Sequence, residues 1–175
     1  MRGIKKCLSF FYFIDMKIKY APHTKDDLKS VIFDILEEEG NDADLNCIDV
    51  SEIKDMSHLF YQFKDFTGDI SKWDVSHVEN MDGMFFCSAF NGDISRWDVS
   101  GCNSMFNMFS HSKFNGDLGD WDVSNVEDMG SMFCNSVFEG DLSDWDTTCC
   151  VAHEDMFTNS PMKKQKRLQP KFHRF

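Results

Sequence analysis

The chain has 175 residues, 42% of them hydrophobic, and a formal net charge of −12. That length suits one domain and, once the repeats described below are counted, leaves no room for a second large one. The charge is unevenly placed: residues 21–160 hold 29 acids against 7 Lys or Arg, whereas residues 1–20 carry +4 and residues 161–175 carry +6. An acidic body repels phosphate backbones, so no nucleic-acid partner is expected.

In chain order, residues 1–23 come first. Arg2, Lys5 and Lys6 precede an apolar run over residues 8–14 that imitates a short secretory signal. Asp15 and Lys17 end that run early, and no small-residue cleavage site follows. No segment approaches the roughly 20 apolar residues of a membrane span, so none is expected. Residues 1–23 are read as a leader or a segment covering the first coil. Residues 24–40 read as an N-terminal capping helix. Thr24 can N-cap with Asp27 at the capping-box distance, Leu28, Val31, Ile32, Ile35 and Leu36 form one apolar stripe, and Gly40 ends it.

From residue 41 to residue 160 the chain repeats. Trp73, Trp97, Trp121 and Trp145 are each 24 residues apart, and Phe66, Phe90, Phe114 and Phe138 keep the same interval. A degenerate first copy runs from Asp44 through Ile48, which stands in the tryptophan slot, to Phe60. A fixed period of this length is the mark of stacked coils, and five are counted. Within each, Trp73 and Val75 alternate with Lys72, Asp74 and Ser76, the period of a short strand with one buried face. Val78, Met81, Met84 and Phe85 follow at helical spacing, α or 3₁₀, and Ser76 with Glu79 fits a capping box. Gly68, Gly92, Gly116 and Gly140 fall where a turn needs positive φ. One coil cannot bury enough apolar surface to offset its own ordering entropy, so coils must stack. The expected fold is a leucine-rich-repeat-like solenoid: one short parallel strand and one short helix or 3₁₀ turn per coil, behind an N-terminal capping helix. The fifth copy decays at Thr147 and His153, Pro161 ends the pattern, and residues 161–175 form a basic C-terminal tail.

The unit F-N-G-D-I-S-x-W-D-V-S followed by V-x-x-M-x-x-M-F, as in residues 90–109 and 114–133, resembles the BspA-like leucine-rich-repeat family in its tryptophan-bearing version, known from bacterial surface proteins, mycoplasma-type lipoproteins and large DNA viruses. The resemblance covers residues 24–160. It implies a solenoid used for binding or adhesion, with no catalytic residues to carry over.

Alternation places Asp74, Asp98, Asp122 and Asp146 on the outer face of the expected sheet, with Lys72, Arg96, Asp120 and Asp144 one column over. These eight residues are the expected binding surface for a protein partner. A second file, Asp69, Asp93, Asp117 and Asp141, follows the turn glycines. Two readings stand for it: carboxylates that accept nearby backbone N–H groups, or hard-cation ligands that would make the protein a calcium-stabilised structural module. The basic tail is a candidate to fold back onto Asp120, Asp122, Asp144 and Asp146. Seven cysteines, an odd number without C-x-x-C spacing, argue against a structural metal site, and no cofactor is expected. Cys102 and Cys150 sit in the slot of Val78 and Val126, as small buried hydrophobes. Six scattered histidines and serines repeated in every copy assemble no acid, base or nucleophile constellation, so an enzyme is not expected. Non-catalytic protein recognition is the expected function, with a cell-surface adhesin or host-interaction role as the alternative. Unpaired cysteines and the missing anchor favour an intracellular location over a secreted or surface one.

Overall fold

A computed structural model describes residues 18–172. Most of the expected leader, residues 1–17, and the last three residues of the tail lie outside the described residues. The chain enters along the first repeat, where Lys19 N–H donates to Cys47 O at 2.8 Å and Asp49 N–H to Tyr20 O at 2.8 Å. Helix α1, Lys25–Glu39, follows. Thr24 Oγ1 accepts the N–H of Asp27 at 3.1 Å, which satisfies one of the helix's open donors. Gly40 ends it at φ 93°, a conformation that glycine adopts without a Cβ penalty. Leu28, Ile32 and Ile35 are buried on the inner face. Lys25 Nζ reaches Asp55 Oδ2 at 2.6 Å and Ser57 Oγ at 2.8 Å, so α1 is tied to the first repeat.

The expected solenoid of strand-and-helix coils does not form. Among the described residues there is no strand and no sheet, and α1 is the one α-helix; the other helical pieces are two 3₁₀ turns, Pro161–Lys164 and Lys166–Leu168. Cross-repeat pairing in the strand sense is confined to isolated parallel bridges, such as Asp55 with Asn80, Asn80 with Ser104, Ser104 with Asp128 and Asp128 with Ala152.

The reason lies in two competing devices. Around each tryptophan several backbone donors are consumed inside the repeat. Trp73 N–H turns back to Ile70 O at 3.2 Å and Val78 N–H to Val75 O at 2.9 Å, while Asp69 and Asp74 capture the N–H groups of Ser71 and Ser76. The extended piece between the two turns is only Trp73-Asp74-Val75. Aspartate side chains that bond two residues ahead compete with a ladder in this way.

In the other half of the repeat, left-handed residues break the expected helix. Gly83 and Cys87, Asn107 and His111, Ser131 and Asn135, and Asp155 and Asn159 all have φ between 54° and 57°. A reversal every fourth residue prevents successive turns from merging into a helix. The N–H groups then alternate in direction. Met84, Phe86 and Ser88 donate to the carbonyls three residues back, at 2.9–3.2 Å, whereas Met81, Gly83, Phe85 and Cys87 donate to Ser104, Phe106, Met108 and Ser110 of the next repeat at 2.8–3.0 Å. The same ladder recurs from Met105 to Asp128 and from Met129 to Ala152.

Stacking of the repeats makes one continuous apolar core. Phe60, Phe85, Phe109, Phe133 and Phe157 stack at 5.3, 5.5, 5.6 and 5.9 Å, and Phe66, Phe90, Phe114 and Phe138 at 5.9, 6.3 and 6.4 Å. Offset stacking of this kind adds about 0.5–1.5 kcal/mol per pair to area burial. The tryptophans are buried too, and each indole N–H donates to a carbonyl of the preceding repeat: Trp73 to Leu45, Trp97 to Ile70, Trp121 to Ile94 and Trp145 to Leu118, at 2.9–3.2 Å.

The turn glycines serve a different purpose from the one expected. Gly68, Gly92, Gly116 and Gly140 are not among the positive-φ residues. A Cβ at Gly140 would lie 2.5 Å from Cζ of Phe138, and at Gly92 2.7 Å from Cε2 of Phe90. Absence of a side chain is what lets each phenylalanine ring fold over the glycine two residues ahead. Residues 161–172 continue the stacking. Met162 is fully buried one period after Phe138, Leu142 N–H donates to Leu168 O at 2.8 Å, and the Thr147 hydroxyl donates to Lys171 O at 3.0 Å.

Candidate functional site

All eight expected binding residues are exposed. Since no sheet forms, they line a column of turns rather than a sheet face. Oδ1 of Asp74 accepts the Ser76 N–H at 3.1 Å and its hydroxyl at 2.6 Å, and Asp98 does the same with Ser100 at 3.1 and 2.6 Å. Asp122 with Ser124 and Asp146 with Thr148 repeat the arrangement. Sequence reasoning missed one member. Asp49 belongs to the same file, accepting from Ser51 at 3.0 and 2.7 Å, and the Asp-Val-Ser of the degenerate first copy was its signal.

The Ser76 hydroxyl, then its N–H, hold the Asp74 carboxyl below the usual range, and Asp49 works weakly the other way. Asp98 is likewise held down by the hydroxyl and N–H of Ser100, against a small opposing push from Asp74. Asp49, Asp74 and Asp98 therefore sense one another along the column.

Lys72 and Arg96 belong to a different grouping. With Ser71 and Asp93 they line a shallow cavity of about 220 Å³. Asp93 is held below its usual range by the hydroxyl and N–H of Ser95, with Arg96 adding a smaller push. The two cations thus face the Gly-Asp file, Lys72 acting on Asp69 and Arg96 on Asp93. Asp120 and Asp144 make no hydrogen bond or ion pair among the described residues.

In the Gly-Asp file, Asp69, Asp93, Asp117 and Asp141 accept the N–H of the residue two ahead at 2.8–3.0 Å. That is the first of the two readings given for this file. Among the described residues no group of three or more His, Cys, Asp or Glu side chains converges to hold a metal ion. Within the tail, Arg167 lies near Asp141, whose carboxyl is lowered first by the N–H and hydroxyl of Ser143.

One contact resembles a fragment of hydrolytic machinery. His77 Nδ1 lies 3.1 Å from the Ser76 hydroxyl. The third group is on the wrong partner, because Asp74 accepts the serine hydroxyl's hydrogen bond instead of orienting the histidine. Burial pushes the Cys102 and Cys150 thiols up to about 12 and about 11, which leaves them unreactive packing groups.

The chain matches the family described as "Mycoplasma protein of unknown function, DUF285" over residues 27–133 and again over residues 86–170. It belongs to that family. The two matches overlap within the repeats, in keeping with a repeat protein. No curated protein and no solved structure matches the chain. Among the described residues no helix is long and apolar enough to cross a membrane.

Proposed function

We propose that this protein is a non-catalytic recognition module for a protein partner, related to the BspA-like tryptophan-bearing repeats through its F-N-G-D-I-S-x-W-D-V-S unit. The contact surface is the column Asp74, Asp98, Asp122 and Asp146, bordered by Lys72, Arg96, Asp120 and Asp144. One observation carries the reading. Four exposed carboxylates recur at one fixed position per repeat, each locked by a serine or threonine two residues on. Their orientation costs little further entropy on binding, and a partner with basic groups at matching intervals would find them in place.

Hydroxyls committed to carboxylates favour a binding role over catalysis. The calcium-stabilised alternative has less support, since an oxygen of each turn aspartate is already taken by the backbone. The test is affinity capture of a partner with the full chain, followed by charge reversal at Asp98 and Asp122. Asp98→Lys with Asp122→Lys is expected to weaken binding at least about tenfold, roughly 1.4 kcal/mol, with a weaker salt dependence. Affinity and salt dependence unchanged by the double reversal would remove the column from the binding surface.

A further inference from the structure

The ladder that joins the repeats has a direction. Each repeat gives N–H groups at every second residue to the carbonyls of the next, and the last such junction runs from Met129, Ser131, Phe133 and Asn135 to Ala152, Glu154, Met156 and Thr158. The corresponding donors of the fifth repeat are the N–H groups of His153, Asp155, Phe157 and Asn159. None of the four has an acceptor among the described residues, whereas the intervening N–H groups of Met156, Thr158 and Ser160 close back onto their own repeat at 2.9–3.3 Å. Asp155 and Asn159 both keep φ at 57°, so this open row has the curvature of the paired rows before it. A groove of about 300 Å³ runs along it, bounded by Asp155, Phe157, Lys163, Lys166 and Phe172. Phe172 stacks on His153 at 3.9 Å and forms one wall.

The opposite end differs. There the first repeat presents the carbonyl side of the ladder, and α1 is fastened over it through Lys25. Two donor rows cannot satisfy each other, so two copies do not join through this end, and head-to-tail joining would require α1 to leave. The groove also carries a positive balance: two lysines, Lys163 and Lys166, against one acid, Asp155, border it on a molecule of net negative charge.

We propose that this end is a second interaction surface, distinct from the aspartate column, which receives a turn segment of a partner protein. The occupant has the chemistry of this chain's own repeats. It supplies backbone carbonyls at alternate residues for Asp155, Phe157 and Asn159, and carboxylates facing Lys163 and Lys166. A straight edge strand fits less well, because the left-handed residues bend the donor row.

The probe is a synthetic peptide copying residues 126–140, which contains the carbonyls that satisfy the third repeat and carries Glu127, Asp128 and Glu139. Amide hydrogen exchange is measured on the full chain. In the free protein the amides of Asp155, Phe157 and Asn159 are expected to exchange at least about 100-fold faster than those of Ser131, Phe133 and Asn135, and the peptide is expected to slow them about tenfold or more. Lys163→Glu with Lys166→Glu is expected to weaken the peptide about fivefold. Asp98→Lys with Asp122→Lys leaves it unchanged, so failure here is separable from failure of the aspartate column. Three results would each overturn the proposal: protection of these amides in the free monomer, peptide that fails to bind or binds without slowing them, or protection that arises only as the protein doubles its own mass.

Discussion

The two halves of each repeat solve the problem of joining neighbours in opposite ways. In the tryptophan half, turns and aspartates close much of the backbone on itself, and each tryptophan adds a side-chain link to the preceding repeat through its indole N–H. In the methionine and phenylalanine half, backbone N–H groups themselves cross to the next repeat while the side chains fill the core. One half thus tolerates irregular backbone but depends on a particular residue. The other depends on spacing and ring stacking, and accepts His, Asn, Ser, Cys or Asp at its left-handed positions.

This contrast orders the expected effects of substitution. Phe109→Ala is the largest, because the ring lies between Phe85 at 5.5 Å and Phe133 at 5.6 Å with no exposure; a loss of about 3–5 kcal/mol in urea denaturation is expected. Trp121→Phe keeps most of the packing and removes one of the two donors to Ile94 O, the Trp97 N–H remaining at 3.1 Å, and about 0.5–1.5 kcal/mol should go. If it proved as damaging as Phe109→Ala, the proposed division between the halves would fail.

The acid response comes next. The folded-state pKa values of Asp74 and Asp98 are lowered, so their contribution is present above the unfolded carboxylate value of about 3.9 and is lost as pH falls below it. Asp74→Asn with Asp98→Asn retains an acceptor oxygen but no titrating group. Thermal melts between pH 2.5 and pH 5 (a range of roughly one to two units about that value) should therefore show a shallower pH dependence than the unaltered chain; equal slopes would mean the turns do not couple to protonation. The smallest effect is a gain. Ser131 sits at φ 54°, and Ser131→Gly should stabilise by about 0.5 kcal/mol, the relief of left-handed strain less the extra entropy of glycine.

The residues that would be buried were legible in the sequence, since Trp73, Val75, Val78, Met81, Met84 and Phe85 are all inside. So were the ends of α1, because Thr24 and Gly40 carry cap chemistry that acts locally. What the pattern could not distinguish was strand from turn and helix from ladder. Trp73-Asp74-Val75 shows the alternation of a strand over only three residues. A chain that reverses at Gly83 and Cys87 yields the same apolar spacing as a helix. The missing signal was the recurrence of aspartate two residues before serine, together with Gly83, Asn107 and Asp155 at one repeat position, residue types that accept positive φ. At the candidate site, exposure of the aspartates followed from alternation. The association of Lys72 and Arg96 with Asp93 did not, because it depends on turns that bring those side chains to one side.

The alternating N–H ladder has a mechanical consequence. Its bonds run from repeat to repeat, along the direction in which a pull on the first and last repeats would act. Tension would then meet the junctions one after another instead of shearing many together, and each yielding junction would pay out one repeat, about 80 Å of extended chain. Under load the molecule would lengthen in even steps, and its strength would be that of a single junction however many repeats were added.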